Sequence, residues 1–457
     1  MKAFTPWAVA ALALLVPHSA TSCSDFLLNA SSPSTVISAR TMDFEADLKT
    51  VVEVIPRGTT FQELPVLGCV ECADLEWQSK YGFVAFQMFG VNAAADGLNE
   101  RGLSAAWLVL GETQYPTPQN SESNDTNPAK PIVTSVCSYL LGNFATVDEV
   151  RAGLQTFDVA EFDERIQVPL LHSTALGRMP LHVSVHDAQG KSLVIEFIKG
   201  KTNVYDNLNA VLTNDPPLDE QLKTLEVNGF NSFPGGYGSV ERFLRVSVLN
   251  HHAPSGYSNA VEGVSSYTVA TEEQRGVSDA LHILNTVVRP PLSEATEWNV
   301  VRDHARRKLY IQSTQNMVLR QIDLTQLDFG NASSRHLIPV TFGDWFVDVT
   351  PALKDSENHA KTIDLPPRTE LEKLLQQLLH GGGGGAAGDV PPPSTVQLEA
   401  TREPGAAALP PSGFWSGLAS GVSLAVVGMT LFNVITSAHR RRMYQPIADP
   451  QEVRYTA

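Results

Sequence analysis

The sequence predicts an α+β fold between about residues 23 and 380, because strand-like segments predominate and helix-like segments come in separate blocks. Short runs rich in apolar and β-branched residues predict eight strands, at Thr35–Ser38, Val51–Ile55, Val84–Val91, Leu103–Leu110, His182–Val185, Leu193–Ile198, Val204–Asp206 and Lys308–Ser313. Helical periodicity predicts five helices, at Val133–Leu141, Val147–Leu154, Leu218–Leu225, Val240–Leu249 and Val277–Val287. The turn sequence Asp187-Ala188-Gln189-Gly190 joins two of the strands into a hairpin.

The composition is that of an acidic globular protein. The chain has 457 residues, of which 43% are apolar, and its formal net charge is −16 at pH 7. A chain of this length can bury a large core. Nucleic-acid binding needs a basic surface, so the composition argues against a nucleic-acid partner.

The first 22 residues have the pattern of a secretory signal peptide. Lys2 precedes the apolar run Ala8–Val16, and Ala20-Thr21-Ser22 places small residues at the −3 and −1 positions of a cleavage site. Cleavage after Ser22 would make Cys23 the first residue of the mature chain. Its thiol would then stand beside a free α-amine, which titrates near pH ~8 and can accept the thiol proton.

Six short motifs follow one another from Cys23 onward. They are Cys23-Ser24-Asp25-Phe26, Ala39-Arg40-Thr41-Met42-Asp43-Phe44, Val54-Ile55-Pro56-Arg57-Gly58, Asn99-Glu100-Arg101-Gly102-Leu103, Leu212-Thr213-Asn214-Asp215-Pro216, and Pro234-Gly235 with Ser239-Val240-Glu241-Arg242-Phe243. Taken together, they resemble the choloylglycine hydrolase family, which includes bile salt hydrolases and penicillin V acylases. Each motif alone is weak, but their joint order over about residues 23–330 is specific.

The resemblance implies a four-layer αββα sandwich of the N-terminal-nucleophile hydrolase type and an amidase activity that needs no cofactor or metal. It also implies five catalytic residues, which are Cys23, Arg40, Asp43, Asn214 and Arg242. Cys23 would attack the amide and form a thioester acyl-enzyme, with Arg40 favouring the thiolate. Asp43 would accept a hydrogen bond from the α-amine, and Asn214 would donate one to the oxyanion. Arg242 would pair with a buried carboxylate.

Val109 departs from the pattern of the family. Bile salt hydrolases have an asparagine here that helps line the oxyanion hole, and penicillin V acylases have a tyrosine. A valine side chain cannot donate a hydrogen bond, although its backbone N–H can. We therefore interpret Val109 as a substrate-binding position, and we expect an N-acyl amide of a lipid or small metabolite as substrate instead of a bile salt.

The same residues also have simpler structural interpretations. Arg40 and Asp43 alone would form an ion pair at a strand end, and Asn214 alone would be a turn residue or helix cap. Arg242 on a helix would usually be solvated, and we interpret Asn99 as a turn residue. The catalytic interpretation depends on the joint order and spacing of the motifs.

The remaining cysteines and the sequons bear on the compartment of the protein. Cys69 and Cys72 could close a local disulfide, one of them could pair with Cys137, or all three could be free thiols. A zinc site is disfavoured, because one Cys-x-x-Cys supplies only half of the ligands. Sequons predict N-glycosylation at Asn29, Asn124 and Asn331.

The C-terminal part of the sequence predicts a membrane anchor. A last helical segment, Leu371–Leu379, precedes a Gly/Pro/Ala-rich linker at residues 381–412. Residues 413–438 form an apolar segment long enough to cross the ~30 Å hydrocarbon core, and Phe414–Ala438 carries no charged side chain. The cluster His439-Arg440-Arg441-Arg442 places residues 439–457 on the cytoplasmic side.

This pattern predicts a single-pass type I membrane protein whose catalytic domain is extracellular or lies in the endosomal or lysosomal lumen. A GPI signal is the rival interpretation, against which the basic cluster and 15 further residues argue. The tail sequence Tyr444-Gln445-Pro446-Ile447 fits Tyr-x-x-apolar and predicts a sorting adaptor as partner. A chance match is the alternative.

Three other functions stay open. A bacterial lipoprotein would be lipidated at Cys23, but Ala20 stands where leucine is preferred, and a C-terminal span does not fit. A surface receptor could keep the fold without activity, against which the retention of all five polar residues argues. An acyltransferase would pass the acyl group to an amine instead of water. The sequence also leaves open whether the protein forms a homo-oligomer.

Overall fold

The computed structural model describes residues 23–29, 35–44, 47–66, 75–88, 93–117, 130–161, 180–263, 271–290, 295–330, 336–354 and 372–373. The chain divides into two compact units, residues 1–366 and 367–457. The predicted signal peptide, linker, membrane span and tail lie outside the described residues, as do Cys69, Cys72, Asn124 and Asn331. Of the helices within the ranges given above, none is long and apolar enough to cross a membrane.

Strands make up most of the described secondary structure. The strands are β1 Ser24–Leu27, β2 Ile37–Phe44, β3 Val51–Ile55, β4 Thr60–Gln62, β5 Glu76–Gln78, β6 Phe83–Gln87, β7 Ala94–Asn99, β8 Ser104–Val109, β9 Ile132–Val133, β10 Asp158–Val159, β11 Leu181–His186, β12 Ser192–Ile198, β13 Lys201–Asp206, β14 Val211–Leu212, β15 Ala295–Asp303, β16 Lys308–Ser313, β17 Arg320–Asp323 and β18 His336–Pro339. The helices are α1 Val136–Asn143, α2 Val147–Gly153, α3 Leu218–Asn228, α4 Ser239–Gly263, α5 Glu272–Leu284 and α6 Thr350–Lys354.

Two large antiparallel sheets form the centre of the fold. One has six strands in the order β14-β1-β2-β15-β16-β17, and the other has eight in the order β13-β12-β11-β8-β7-β6-β3-β18. Helices α4 and α5 pack on the first sheet, and α1 packs on β6, β7 and β8 of the second. Phe86 and Trp298 stack between the sheets, with ring centroids 4.5 Å apart. The expected αββα order of layers is confirmed in this part of the chain.

Strand β2 is buried on both faces and therefore has two apolar environments. Met42 and Phe44 belong to the core between the sheets, whereas Ile37 and Ala39 belong to the core beneath α4 and α5. Successive side chains of a strand point to opposite faces. The polar residues in the same strand are divided in the same way, so that Arg40 faces the second sheet and Asp43 lies on the helix side.

Several predicted boundaries were right, and others shifted. The predictions for β3 and β16 agree with the structure at both ends, whereas the strand predicted at Thr35–Ser38 begins later and continues to Phe44. The segment Val84–Val91 ends as a strand at Gln87. Helix α4 extends well past Leu249, to Gly263. The sequence reasoning missed β1, β7 and β15, because buried polar residues interrupt their apolar pattern.

A buried carboxylate, Glu63, fixes the segment before α1. Its Oε1 accepts hydrogen bonds from Trp77 Nε1 and Ser135 Oγ, both at 2.7 Å. Its Oε2 accepts from the backbone N–H groups of Thr134 and Ser135, also at 2.7 Å, and from Thr134 Oγ1 at 2.9 Å. The Glu63 side chain thus connects the loop after β4, strand β5 and the start of α1.

We predict that Glu63→Ala lowers the free energy of unfolding by roughly 2–3 kcal/mol, because several buried donors lose their acceptor. Urea denaturation would measure the change. Glu76→Ala is the matched control, since Glu76 is exposed on β5 and its loss should change stability by less than about 0.5 kcal/mol. Equal losses in the two variants would contradict this role of Glu63.

Candidate active site

Cys23 lies immediately before β1 and is almost fully buried, with 1% of its surface exposed. Its Sγ is 3.7 Å from Arg40 Nη2 and 4.0 Å from the backbone oxygen of Asp43. The Cys23 backbone nitrogen donates a hydrogen bond to Asn214 Oδ1 at 2.5 Å. Burial raises the pKa of the thiol, and the positive charge of Arg40 acts in the opposite direction.

The Arg40 guanidinium crosses from the first sheet to the second, where it lies between β7 and β8. Its Nη1 donates to the Ala95 carbonyl at 2.9 Å, and its Nη2 donates to the Trp107 carbonyl at 2.5 Å. The register of β7 and β8 pairs Leu98 with Ser104, and continuing it would set Ala95 opposite Trp107. Arg40 therefore bonds two carbonyls that strand pairing would otherwise use.

Sequence reasoning missed a buried network of charges behind Arg40. Asp96 Oδ2 accepts from Arg40 Nη1 at 3.0 Å, and both oxygens of Asp96 accept from Arg302, with Nε to Oδ1 at 2.8 Å. Arg302 Nη1 donates to Asp25 Oδ2 at 3.1 Å. All four side chains are fully buried, and their charges balance. The one feature from which this network could have been predicted is that Arg302 and Asp96 belong to strands that are buried on both faces.

Arg242 approaches Cys23 from α4, on the helix side of the first sheet. Its Nη1 donates to the Cys23 carbonyl at 2.5 Å and to Ser24 Oγ at 2.6 Å, and its Nη2 donates to Asn214 Oδ1 at 3.0 Å. These acceptors are neutral, which differs from the expected pairing with a buried carboxylate. Burial lowers the pKa of Arg242, and the charge of Asp43 opposes this shift.

Asn214 follows β14 and joins three parts of the chain. Its Oδ1 accepts from Cys23 and Arg242, and its Nδ2 donates to the Val109 carbonyl at 2.8 Å. Val109 is half-buried at the end of β8. A side-chain amide carries two N–H groups, so the expected donation to an oxyanion would use the second one.

Asp43 is buried near Cys23, but its carboxylate has other partners than the expected one. Its Oδ1 accepts from Thr296 Oγ1 at 2.5 Å, and its Oδ2 accepts from Thr41 Oγ1 at 3.4 Å. The Cys23 nitrogen donates to Asn214 instead. Burial raises the pKa of Asp43 to about 6, although the charge of Arg242 acts in the opposite direction.

Three other residues that the sequence singled out take no part in the hydrogen bonds described above. Asn99 ends β7, and its Oδ1 accepts from the backbone N–H groups of Arg101 and Leu103, as the turn interpretation expects. Cys137 is a buried free thiol in α1, which differs from a disulfide with Cys69 or Cys72. Asn29 is exposed at the end of the β1 segment.

Comparisons with known proteins identify the family of the chain. The model of a family described as linear amide C–N hydrolases, choloylglycine hydrolase family, matches residues 23–338. A penicillin V acylase of Pectobacterium atrosepticum is 29% identical over 340 residues, which cover 69% of this chain and 86% of that protein. A bile salt hydrolase/transferase of Clostridium perfringens is 28% identical over 180 residues, which cover 34% of this chain and 51% of that protein. The structure of a penicillin V acylase from Agrobacterium tumefaciens aligns with a TM-score of 0.53 and 26% identity, covering 67% of this chain and 88% of that one.

The raised pKa of Asp43 predicts a pH-dependent contribution to stability. Its ordinary value is 3.8 and its folded value is about 6, so the folded carboxyl holds a proton that the unfolded chain releases. The resulting stabilisation is present below about pH 4 and is lost as the pH rises through about 6. We predict that Asp43→Asn is more stable than wild type at about pH 7.5, by on the order of 2–3 kcal/mol, with little difference at about pH 4.

Urea denaturation of both proteins at the two pH values would measure this effect. Asp47→Asn is the control, because Asp47 is largely exposed beside Lys49 and its pKa is lowered, mainly by the hydrogen bond from Lys49. It should show no gain at neutral pH. A difference between wild type and Asp43→Asn that is the same at both pH values would count against a raised pKa.

Proposed function

Because the chain belongs to the choloylglycine hydrolase family of linear amide C–N hydrolases, we propose that it cleaves N-acyl amides with Cys23 as the nucleophile. One observation carries the proposal. Cys23 Sγ lies 3.7 Å from the Arg40 guanidinium, while the nitrogen of the same residue lies 2.5 Å from Asn214 Oδ1. A nucleophile, a cation and a fixed nitrogen thus meet at the first residue that the family model matches.

The proposed mature chain begins at Cys23, after signal cleavage at Ser22 or after cleavage at Ala20 and self-removal of two residues. The Cys23 backbone nitrogen, which donates to Asn214 Oδ1, would become the α-amine and would keep the same acceptor. In its neutral form this amine can take the thiol proton. Arg40 would then stabilise the thiolate, against the effect of burial on the thiol.

The proposed reaction has two steps. The thiolate attacks the amide carbonyl, the second Nδ2–H of Asn214 donates to the oxyanion, and the protonated α-amine returns its proton to the leaving amine. The carbon–nitrogen bond breaks and a thioester forms on Cys23. Water, activated by the same amine, then attacks the thioester and releases the carboxylic acid and the thiol.

We propose N-acyl amides of lipids or of small acylated metabolites as substrates. The half-buried Val109 offers an apolar wall beside the proposed oxyanion donor, because its carbonyl is bonded to Asn214. The predicted signal peptide, glycosylation sites and membrane span support a luminal or extracellular catalytic domain that meets such substrates at a membrane.

Acyl transfer is a second candidate reaction on the same thioester. A relative that is 28% identical is named a bile salt hydrolase/transferase, and an amine in place of water would complete the same chemistry. The ratio of free acid to new amide, measured with an N-acyl substrate and added glycine, distinguishes the two reactions.

We predict that Cys23→Ser lowers the rate of amide hydrolysis by at least ~10³-fold, because a serine hydroxyl is a much weaker nucleophile beside an amine. Amine release from a panel of N-acyl amides would measure the rate, and circular dichroism would check the fold. Cys137→Ser is the control, since Cys137 is the other buried free thiol among the described residues, and it should keep its rate within about 2-fold.

The N-terminus is tested on the same samples by intact mass. Active wild-type protein should begin at Cys23. Full turnover by Cys23→Ser, or active protein that still carries residues ahead of Cys23, would rule out the proposed nucleophile.

We predict that Val109→Asn shifts the substrate preference toward more polar acyl groups, because an apolar wall gains a group that needs a hydrogen-bond partner. Relative kcat/KM values across short, long and hydroxylated acyl chains would measure the shift. Val204→Asn is the control, because Val204 is half-buried on the edge strand β13 of the same sheet, from which β12 and β11 separate it from β8. Unchanged relative rates in Val109→Asn would place this side chain outside the pocket.

A further inference from the structure

Arg302 binds both carboxylate oxygens of Asp96, deep between the two sheets. Arg302 Nε donates to Asp96 Oδ1 at 2.8 Å, and its Nη2 donates to Asp96 Oδ2. The oxygen Oδ2 is shared, because Arg40 Nη1 also donates to it at 3.0 Å. The orientation of Arg302 therefore fixes the carboxylate that contacts Arg40.

The other side of Arg302 is held equally firmly. Its Nη1 donates to Asp25 Oδ2 at 3.1 Å and to Ser38 Oγ at 2.9 Å. Asp25 Oδ1 accepts from Ser184 Oγ at 2.9 Å and lies 2.5 Å from His186 Nε2. Each of these groups is buried and comes from a strand, so the chain of contacts has little freedom to move.

Arg40 depends on such support more than most arginines. Its Nε has no hydrogen-bond partner in the described structure, so only the two terminal nitrogens fix the guanidinium. One of these nitrogens, Nη2, is also the atom that lies 3.7 Å from Cys23 Sγ. A shift of the guanidinium by even one ångström would change the field at the sulfur, because the Coulomb energy of two groups varies with their distance and is weakly screened in a buried site.

We propose that Arg302 and Asp96 are positioning residues, which hold the Arg40 guanidinium against Cys23 Sγ and divide the negative charge of Asp96 between two cations. This inference rests on the proposed role of Cys23 as nucleophile. Without Arg302, Asp96 would pair with Arg40 alone, and its charge would offset the positive field at the sulfur. Without Asp96, the two guanidinium groups would repel each other.

The test measures the Cys23 thiol directly, in the processed full-length protein. The rate of Cys23 alkylation by iodoacetamide is followed against pH by peptide mass. In Arg302→Met we expect the midpoint of this profile to rise by at least about half a pH unit. We also expect kcat to fall roughly 10–10²-fold while KM stays within about 2-fold, because the thiolate and its geometry are affected more than binding. Arg302→Lys should recover part of both losses.

Arg306→Met is the matched control. Arg306 stands in the turn after β15, is partly exposed, and pairs with the buried Asp303 and the partly buried Glu273. It should leave the alkylation profile and kcat unchanged. Where Arg302→Met fails to fold, Arg302→Lys carries the same measurement and should raise the midpoint by a smaller amount. Asp96→Asn should lower kcat, because the two guanidinium groups then repel each other and Arg40 shifts away from its position.

Two results separate this inference from the proposed function. An unchanged midpoint and kcat in the folded Arg302 and Asp96 variants, even with lower thermal stability, would overturn the positioning role and reduce the network to a structural one. Full activity of Cys23→Ser would overturn the proposed function itself, whatever the Arg302 variants show.

Discussion

The hydrogen bonds from the Arg40 guanidinium to β7 and β8 are the constraint on which the rest of the site depends. A fully buried cation is costly unless it is paired and hydrogen-bonded. Arg40 meets this need with one carboxylate, Asp96, and two carbonyls, those of Ala95 and Trp107. These groups belong to the second sheet, whereas Arg40 belongs to the first. The same contacts that neutralise the cation therefore also set the spacing of the two sheets around Cys23.

The alternation of side chains along β2 explains why Cys23 is reached from two directions. Arg40 points between the sheets and reaches the sulfur, while Arg242 comes from the helix layer and reaches the Cys23 carbonyl. Asp43 also lies on the helix side, where its carboxylate is held by two threonine hydroxyls. One cation thus lies near the Cys23 sulfur, and the other holds the backbone of the same residue.

The sequence predicted the class of the fold, the order of its main elements and a set of polar residues that the structure brings together around Cys23. It did not predict how they bond. Spacing places Asp43 near Cys23, but only the folded geometry shows that the Cys23 nitrogen donates to Asn214. The sequence analysis did not predict the buried ion pairs of Asp25, Asp96 and Arg302, because charged residues in a sequence usually indicate a solvated face. In the structure these charges lie in the interior and balance one another.

The hydrogen bond from the Cys23 nitrogen to Asn214 Oδ1 has a consequence for the proposed cleavage before Cys23. Asn214 also forms hydrogen bonds with Arg242 and with the Val109 carbonyl. These bonds hold the acceptor atom, Asn214 Oδ1, in place whether or not Cys23 has a free N-terminus. Removal of the residues before Cys23 would then turn the Cys23 peptide nitrogen into an amine that can bind a proton. The groups around this nitrogen would not have to move. In such a precursor the proposed site would already be assembled. The precursor would be inactive only because the Cys23 nitrogen, the proposed base, is still part of a peptide bond.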